Sequence, residues 1–398
     1  MRFLPQLPRQ GVLIFLFLFV GTVCASSLIP MIGFFIVTGL GEPPWKIGLY
    51  TGFTAPLTLL CNRRVGEWLD SGMRVKPLLL VAILAFLMFC LLMLQGPNLL
   101  ALVLLGGLFM SVANTALSTS FTYGRLYAER NGLDVTKTNA TLRMATSLAW
   151  MTGPALSYSL IGLFGFDAVF RLAGLMGLGW LAFWFFSIPG DFRAPPREKH
   201  PSGNGAVNWG MLFAALCCLS FVVTNSLFVS SMPLYLVTEI NLPEYTPGLS
   251  LSVKCFFEVV TIYSAARIAL RTGVRTVLIA AACTAFTTMM LFTQVTSIAG
   301  VVAVAMLEGT YYGLFAGVAI TYVQSFAPDK PGRATAVFMN SLFLGGMLGS
   351  ISMGLIADSF DYRTVVFVAS LISVCAGLLL AIEPMVIRKT RALAEQRS

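Results

Sequence analysis

Apolar residues run along this chain in stretches of about twenty, separated by short clusters of glycine, proline and charge, from near residue 11 to near residue 383. A stretch of that length, wound as an α-helix at about 1.5 Å per residue, crosses the roughly 30 Å of hydrocarbon in a bilayer. The pattern predicts twelve spans: 11–39, 45–62, 77–95, 98–123, 140–164, 167–188, 208–238, 246–270, 276–294, 297–325, 332–358 and 362–383. The first begins like a signal peptide, with a basic start before an apolar run. Its apolar character continues to Val37 and eleven more spans follow, so it is read as a retained first helix.

Composition agrees with the pattern. Of 398 residues, 57% are hydrophobic and only 11% charged, against about 25% charged in an ordinary soluble domain. The chain is read as an integral membrane protein. The eight cysteines (Cys24, Cys61, Cys90, Cys217, Cys218, Cys255, Cys283 and Cys375) fall inside the spans or at their edges without paired spacing, and read as small packing residues. The single histidine, His200, stands in a polar stretch and reads as a solvated loop residue. No metal cluster, activated serine or phosphate loop is present, so neither an enzyme nor a cofactor is expected.

A net charge of +9 raises the question of a polyanionic partner, and the positions of the basic residues answer it. With both termini placed in the cytoplasm, only Lys46, Arg171 and Arg363 fall on the opposite side, and Arg143 and Lys254 fall within spans. The remaining 21 of the 26 lysines and arginines lie in the cytoplasmic connections and tails. That bias is the positive-inside rule, and nucleic acid is not expected as a partner.

The longest polar connection, from Pro189, is rich in proline, glycine and charge and separates six spans from six. The domains expected are an N-terminal bundle over 1–188, a cytoplasmic linker over 189–207 and a C-terminal bundle over 208–398. The halves echo one another: "DSGMRVK" resembles "RTGVRTV", with Gly72 and Gly273 201 residues apart, and "FDAVF" matches "FDYRTVVF", with Phe166 and Phe360 194 apart. Two like-oriented six-helix bundles describe an all-α membrane transporter of the major facilitator fold, with its substrate site near mid-membrane. "GEWLDSGMRVK" resembles the cytoplasmic loop motif of that superfamily in Gly66, Asp70, Gly72, Arg74 and Lys76. Asp70, Gly72 and Arg74 are therefore candidate gating residues, the other reading being a turn whose basic residues set topology.

Two longer stretches narrow the resemblance. "LFMSVANTALSTSFTYGRLYAERNG" followed by "TLRMATSLAWMTGPAL", and "GLFAGVAITYVQSFAPDKPGRATAVFMNSLFLGGMLGSI", resemble bacterial sugar efflux transporters of the Set type. The resemblance implies a multi-pass protein of the bacterial inner membrane that exports sugars or glycosides, with protons as the expected coupling partner and no obligate protein partner. An acid is usual in that family where Glu258 stands, whereas Lys254 and Glu308 replace a small residue and an amide.

A charge at the centre of a membrane helix costs about 2.5–3.5 kcal/mol on insertion scales, so each one needs a partner or a wet cavity. Lys254 and Glu258 are four residues apart on one face of the eighth span, read either as a cavity-facing pair or as a structural salt bridge. Glu308 opens a stripe with Tyr312, Phe315, Ala319 and Tyr322 on the tenth span, beside a small-residue stripe of Gly309, Gly313 and Gly317 suited to close helix packing. The 194-residue offset carries Asn114 onto Glu308, and the two are expected to face a common cavity. Arg143 and Trp150 share a face of the fifth span, where Arg143 either acts as a fixed charge or snorkels to the membrane surface. Trp150 offers a ring face and an N–H to a sugar. Asn225, Gln324 and Asn340 are uncharged candidates for sugar hydroxyls or for tying helices together.

Substrate binding is thus expected of Asn114, Arg143, Trp150, Asn225, Lys254, Glu258, Glu308, Tyr312, Gln324 and Asn340, and proton coupling of Glu258 and Glu308. A multidrug or small-metabolite antiporter of the same fold is the nearest alternative. A non-transporting membrane sensor or scaffold is a more remote one.

Overall fold

The computed structural model describes residues 9–133, 135–190, 192–193, 209–326 and 331–395. His200 and nearly all of the expected linker lie outside them. Lipid offers no partner to a bare N–H or C=O, so a spanning chain must satisfy its backbone within helices or a closed barrel. The described residues form twelve helical segments: α1 (Arg9–Gly39), α2 (Trp45–Asp70), α3 (Val75–Leu94), α4 (Leu99–Arg130), α5 (Val135–Phe164), α6 (Phe166–Ser187), α7 (Gly210–Glu239), α8 (Thr246–Thr272), α9 (Val274–Phe292), α10 (Ile298–Gln324), α11 (Pro331–Ser359) and α12 (Tyr362–Glu395). Ten of these are long and apolar enough to cross a membrane; α2 and α5 are more polar.

Two compact units divide the chain. The first is built on α1–α6 and the second on α7–α12, with Pro43–Gly48 grouped with the second. Phe17, Phe86 and Trp180 pack together in the core of the first. In the second, Phe221 stacks on Phe315 with centroids 4.7 Å apart, within a cluster that includes Val318, Ala319 and Tyr322. Phe315, Ala319 and Tyr322 of the tenth-span stripe are therefore core residues.

The ends of α1 and α7 form a further echo between the halves, where Val37, Thr38 and Pro43 recur 200 residues on as Val237, Thr238 and Pro243. Helices α1 and α7 both end in a widened turn, with Leu40 N–H reaching the Phe35 carbonyl at 2.9 Å and Ile240 N–H the Tyr235 carbonyl at 3.1 Å. Thr38 and Thr238 each donate a hydroxyl back to the carbonyl four residues earlier. Gly41 and Asn241 then adopt φ of +68° and +59°, and Glu42 and Leu242 N–H close six-residue loops onto Ile36 and Leu236. A left-handed residue at this position stops a helix while satisfying its last carbonyls, and glycine and asparagine are the residues that accept it. The 200-residue repeat is thus carried by backbone conformation, through two different side chains.

The closest helix contact that bears on function joins α8 and α10. A β-carbon on Gly309 would run into the Lys254 carbonyl, one on Gly313 would lie 2.7 Å from the Glu258 carbonyl, and one on Gly317 2.9 Å from the Ala265 β-carbon. Small residues are what allow two membrane helices to approach to backbone contact. The glycine stripe expected from the sequence therefore forms this packing face.

Gly309→Ala should destabilise the protein by about 1–3 kcal/mol, the usual cost of overpacking. Gly346→Ala, with open space where its β-carbon would go, should cost nothing. Thermal unfolding of both variants in detergent compares the two.

Candidate functional site

Because α8 and α10 touch at backbone distance, the side chains flanking the glycine stripe meet. Lys254 Nζ lies 2.8 Å from Glu308 Oε1 and donates to Asn225 Oδ1 on α7 at 2.8 Å. The same ammonium sits 4.8 Å from the centroid of the Tyr312 ring. Glu308 is fully buried and the Lys254 side chain is 7% exposed. Two neighbouring helices thus surround the cation of a third with a carboxylate, an amide oxygen and an aromatic face, which are the partners a desolvated ammonium needs.

The carboxylate is less completely served than the cation. Its contact with Lys254 is through Oε1, and Oε2 has no hydrogen-bond partner among the described residues. The neighbouring Tyr311 hydroxyl is also buried without a partner among them. A carboxylate accepts at both oxygens, so this one retains acceptor capacity inside the bundle. Glu258, one turn along α8 from Lys254, is half-buried.

The other expected residues are placed as follows. Tyr312 and Asn225 join the Lys254 centre, which sequence periodicity could not show for Asn225 because it lies on another helix. Gln324 is half-buried but sixteen residues along α10 from Glu308, about 24 Å at helical rise. Asn340 is exposed on α11. Arg143 is exposed on α5 and pairs with no carboxylate among the described residues. Asn114 and Trp150 come together in the first unit, lining one cavity. Asn114 sits where α4 is interrupted, and the Thr115 hydroxyl there donates to the Val112 carbonyl at 2.7 Å.

In the loop between α2 and α3, Gly72 has φ +85° and makes the turn. Arg74 is exposed, and its backbone bridges to Arg193 while Val75 N–H donates to the Phe192 carbonyl at 3.1 Å. The side chain of Asp70 lies outside the described residues.

A second buried carboxylate was missed in the sequence. Glu383 of α12 accepts a 2.7 Å hydrogen bond from the Tyr322 hydroxyl, and Arg275 Nε lies 3.9 Å away. Its position at the very end of the last span had hidden it among the helix-terminal charges.

The family model of the Major Facilitator Superfamily matches residues 14–349 and again 214–396. Sugar efflux transporter A of Escherichia coli (strain K12) is 28% identical over 366 residues, covering 90% of this chain and 92% of that protein. Sugar efflux transporter B of Salmonella typhimurium (strain LT2) is 24% identical, covering 91% and 93%. Among solved structures, that of the nucleoside transporter NupG superimposes with a TM-score of 0.76 at 14% identity, over 94% of this chain and 99% of that one. A bacterial homologue of the lysosomal transporter Spinster gives a TM-score of 0.74 at 12% identity, over 94% and 96%.

Removing one member of a buried ion pair strands the other, typically at a cost of about 3–5 kcal/mol, whereas replacing both is often neutral. Lys254→Met should therefore destabilise strongly, and Lys254→Met combined with Glu308→Leu should recover most of the loss. A double-mutant cycle on unfolding in detergent measures the coupling.

Proposed function

Because the chain belongs to the major facilitator superfamily, we propose that it exports sugars or glycosides across the bacterial inner membrane by alternating access, in exchange for protons. The observation that carries the coupling half of this reading is the buried Lys254–Glu308 pair, whose carboxylate keeps an oxygen without a partner among the described residues. The substrate half rests on the names of the relatives, which are sugar efflux transporters along nearly the whole chain.

In this mechanism a proton arriving at Glu308 removes the charge that holds Lys254. The ammonium then leans on Asn225 and on Glu258, one turn away on its own helix, and the balance between conformations shifts. A ligand or proton moves such an equilibrium only through its differential affinity for the two states. An ion pair that exists in one state and is exchanged in the other supplies that difference. Glu258 and Glu308 are the titrating groups of the proposal, and Asn225 and Tyr312 hold the cation while the carboxylate is neutral.

The two six-helix halves, with boundaries at 1–188 and 208–398, are the bodies proposed to move. The distribution of basic residues favours cytoplasmic termini. On that orientation the turn at Gly72, with Asp70 and Arg74 on either side, is a cytoplasmic latch. A drug or small-metabolite antiporter is the alternative, and the cationic Lys254 is the feature that would suit an ionic cargo.

Uptake of labelled sugars into everted membrane vesicles, with and without an imposed pH gradient, separates these readings. Wild type should accumulate sugar only when the gradient is present. Glu308→Gln and Glu258→Gln should each lower gradient-driven accumulation at least about tenfold, equivalent to about 1.4 kcal/mol of coupling, while downhill exchange persists. Uphill export unaltered in both variants would remove these carboxylates from the coupling step. Inhibition by drugs but not by sugars would favour the antiporter of ionic compounds.

A further inference from the structure

We infer that the first unit holds a built subsite for a single neutral sugar ring, floored by Thr22 and Trp180 and walled by Asn114, Ser120 and Trp150. The inference rests on the sugar-export reading above and assigns the ring to particular side chains of α1, α4, α5 and α6. The cavity encloses about 560 Å³ of space between these helices, its open mouth included.

Hydrogen bonding in this unit is otherwise well satisfied. Ser26 donates to the Ala149 carbonyl at 3.0 Å, Ser157 to the Ser27 carbonyl at 2.5 Å, Thr58 to the Ser111 hydroxyl at 3.1 Å and Ser118 to the Asn62 amide oxygen at 2.7 Å. Three buried groups among the described residues are the exceptions; two of them, Thr22 and Trp180, line the cavity, and the third, Thr119 Oγ1, does not. Thr22 and Trp180 are 5% and 3% exposed, yet Thr22 Oγ1 and Trp180 Nε1 have no hydrogen-bond partner among the described residues. Asn114, whose amide carries both donors and an acceptor, lines the same space. Leaving a buried polar group without a partner costs about 1–3 kcal/mol, so two beside one cavity mark a place that expects polar company.

The chemistry of that company follows from the lining. No charged side chain is among the described residues that line the cavity, so nothing there balances an ionic ligand. The Trp150 indole supplies an apolar face with an N–H tip, Trp180 adds a second N–H, and the hydroxyls and amide both donate and accept. A neutral polyol ring, apolar on its C–H faces and hydroxylated around its edge, fits such a set. Gly21 helps to set the floor, because a β-carbon there would lie 3.0 Å from Trp180 Nε1 and closer still to the indole ring.

Equilibrium binding of tritiated methyl glucoside and methyl galactoside, with their monodeoxy derivatives, to the purified full chain tests this. Trp180→Phe keeps the packed ring and removes the N–H; Thr22→Val keeps the shape and removes the hydroxyl. Each should weaken binding of the preferred glycoside about three- to tenfold, the range expected for one uncharged hydrogen bond. Each should also abolish the penalty that wild type shows for one particular deoxy derivative, an effect that a general loss of packing would not produce. Unchanged affinities, or equal weakening of every derivative, would overturn the assignment, and Ser120→Ala provides the same readout if Trp180→Phe does not fold. Wild-type export in vesicles keeps the two readings apart. Sugar export with unaltered binding in the variants discards the subsite alone, whereas a wild type that neither binds nor exports sugar discards the export reading and the subsite with it.

Discussion

The contact between α8 and α10 is the constraint from which the rest of the second unit follows. Three glycines at four-residue spacing let two backbones touch, and that approach lets a lysine on one helix reach a glutamate on the other. A fully buried charge has little latitude in hydrocarbon, since it must be paired or lose its charge. The glycines therefore determine more than packing density. They fix the distance at which Lys254 and Glu308 are held.

Such a pair contributes little net stability, because desolvation of the two ions offsets most of their attraction. In the transport cycle proposed above, its value lies in being conditional. Asn225 and Tyr312 provide the ammonium with a second set of contacts, while the carboxylate is left with unused acceptor capacity. An arrangement in which the cation is well served and the anion incompletely served is one whose balance a single proton can alter. The first unit carries the complementary chemistry, with uncharged hydroxyl, amide and indole groups around a cavity that no described charged residue lines.

Much of the fold was legible in the sequence, since hydrocarbon imposes one solution on a chain with this many apolar runs. The twelve segments lie close to where hydropathy placed them, with differences mainly at the ends, where α2 and α12 continue as helices beyond their apolar stretches. The glycine stripe on α10 was legible because spacing alone makes a helix face. The matching ends of α1 and α7 were legible only in part: Val37, Thr38 and Pro43 recur as Val237, Thr238 and Pro243, but Gly41 and Asn241 share a backbone conformation and no side-chain chemistry.

The candidate site was legible only one helix at a time. Periodicity placed Lys254 with Glu258, and Glu308 with Tyr312, because residues four apart share a helix face. That Lys254 reaches Glu308 and Asn225 was decided by which helices pack together, and periodicity within one helix carries no such information. Trp180 and Thr22 were invisible for the same reason, being unremarkable in their own spans until three other helices closed around them. The sequence by itself determined that this chain crosses a membrane in repeated helices and carries charge inside them, because transfer free energies depend on composition. Only the tertiary structure decided which charge meets which and which polar groups are left waiting, because a hydrogen bond or ion pair depends on distances of a few ångströms between helices distant in sequence.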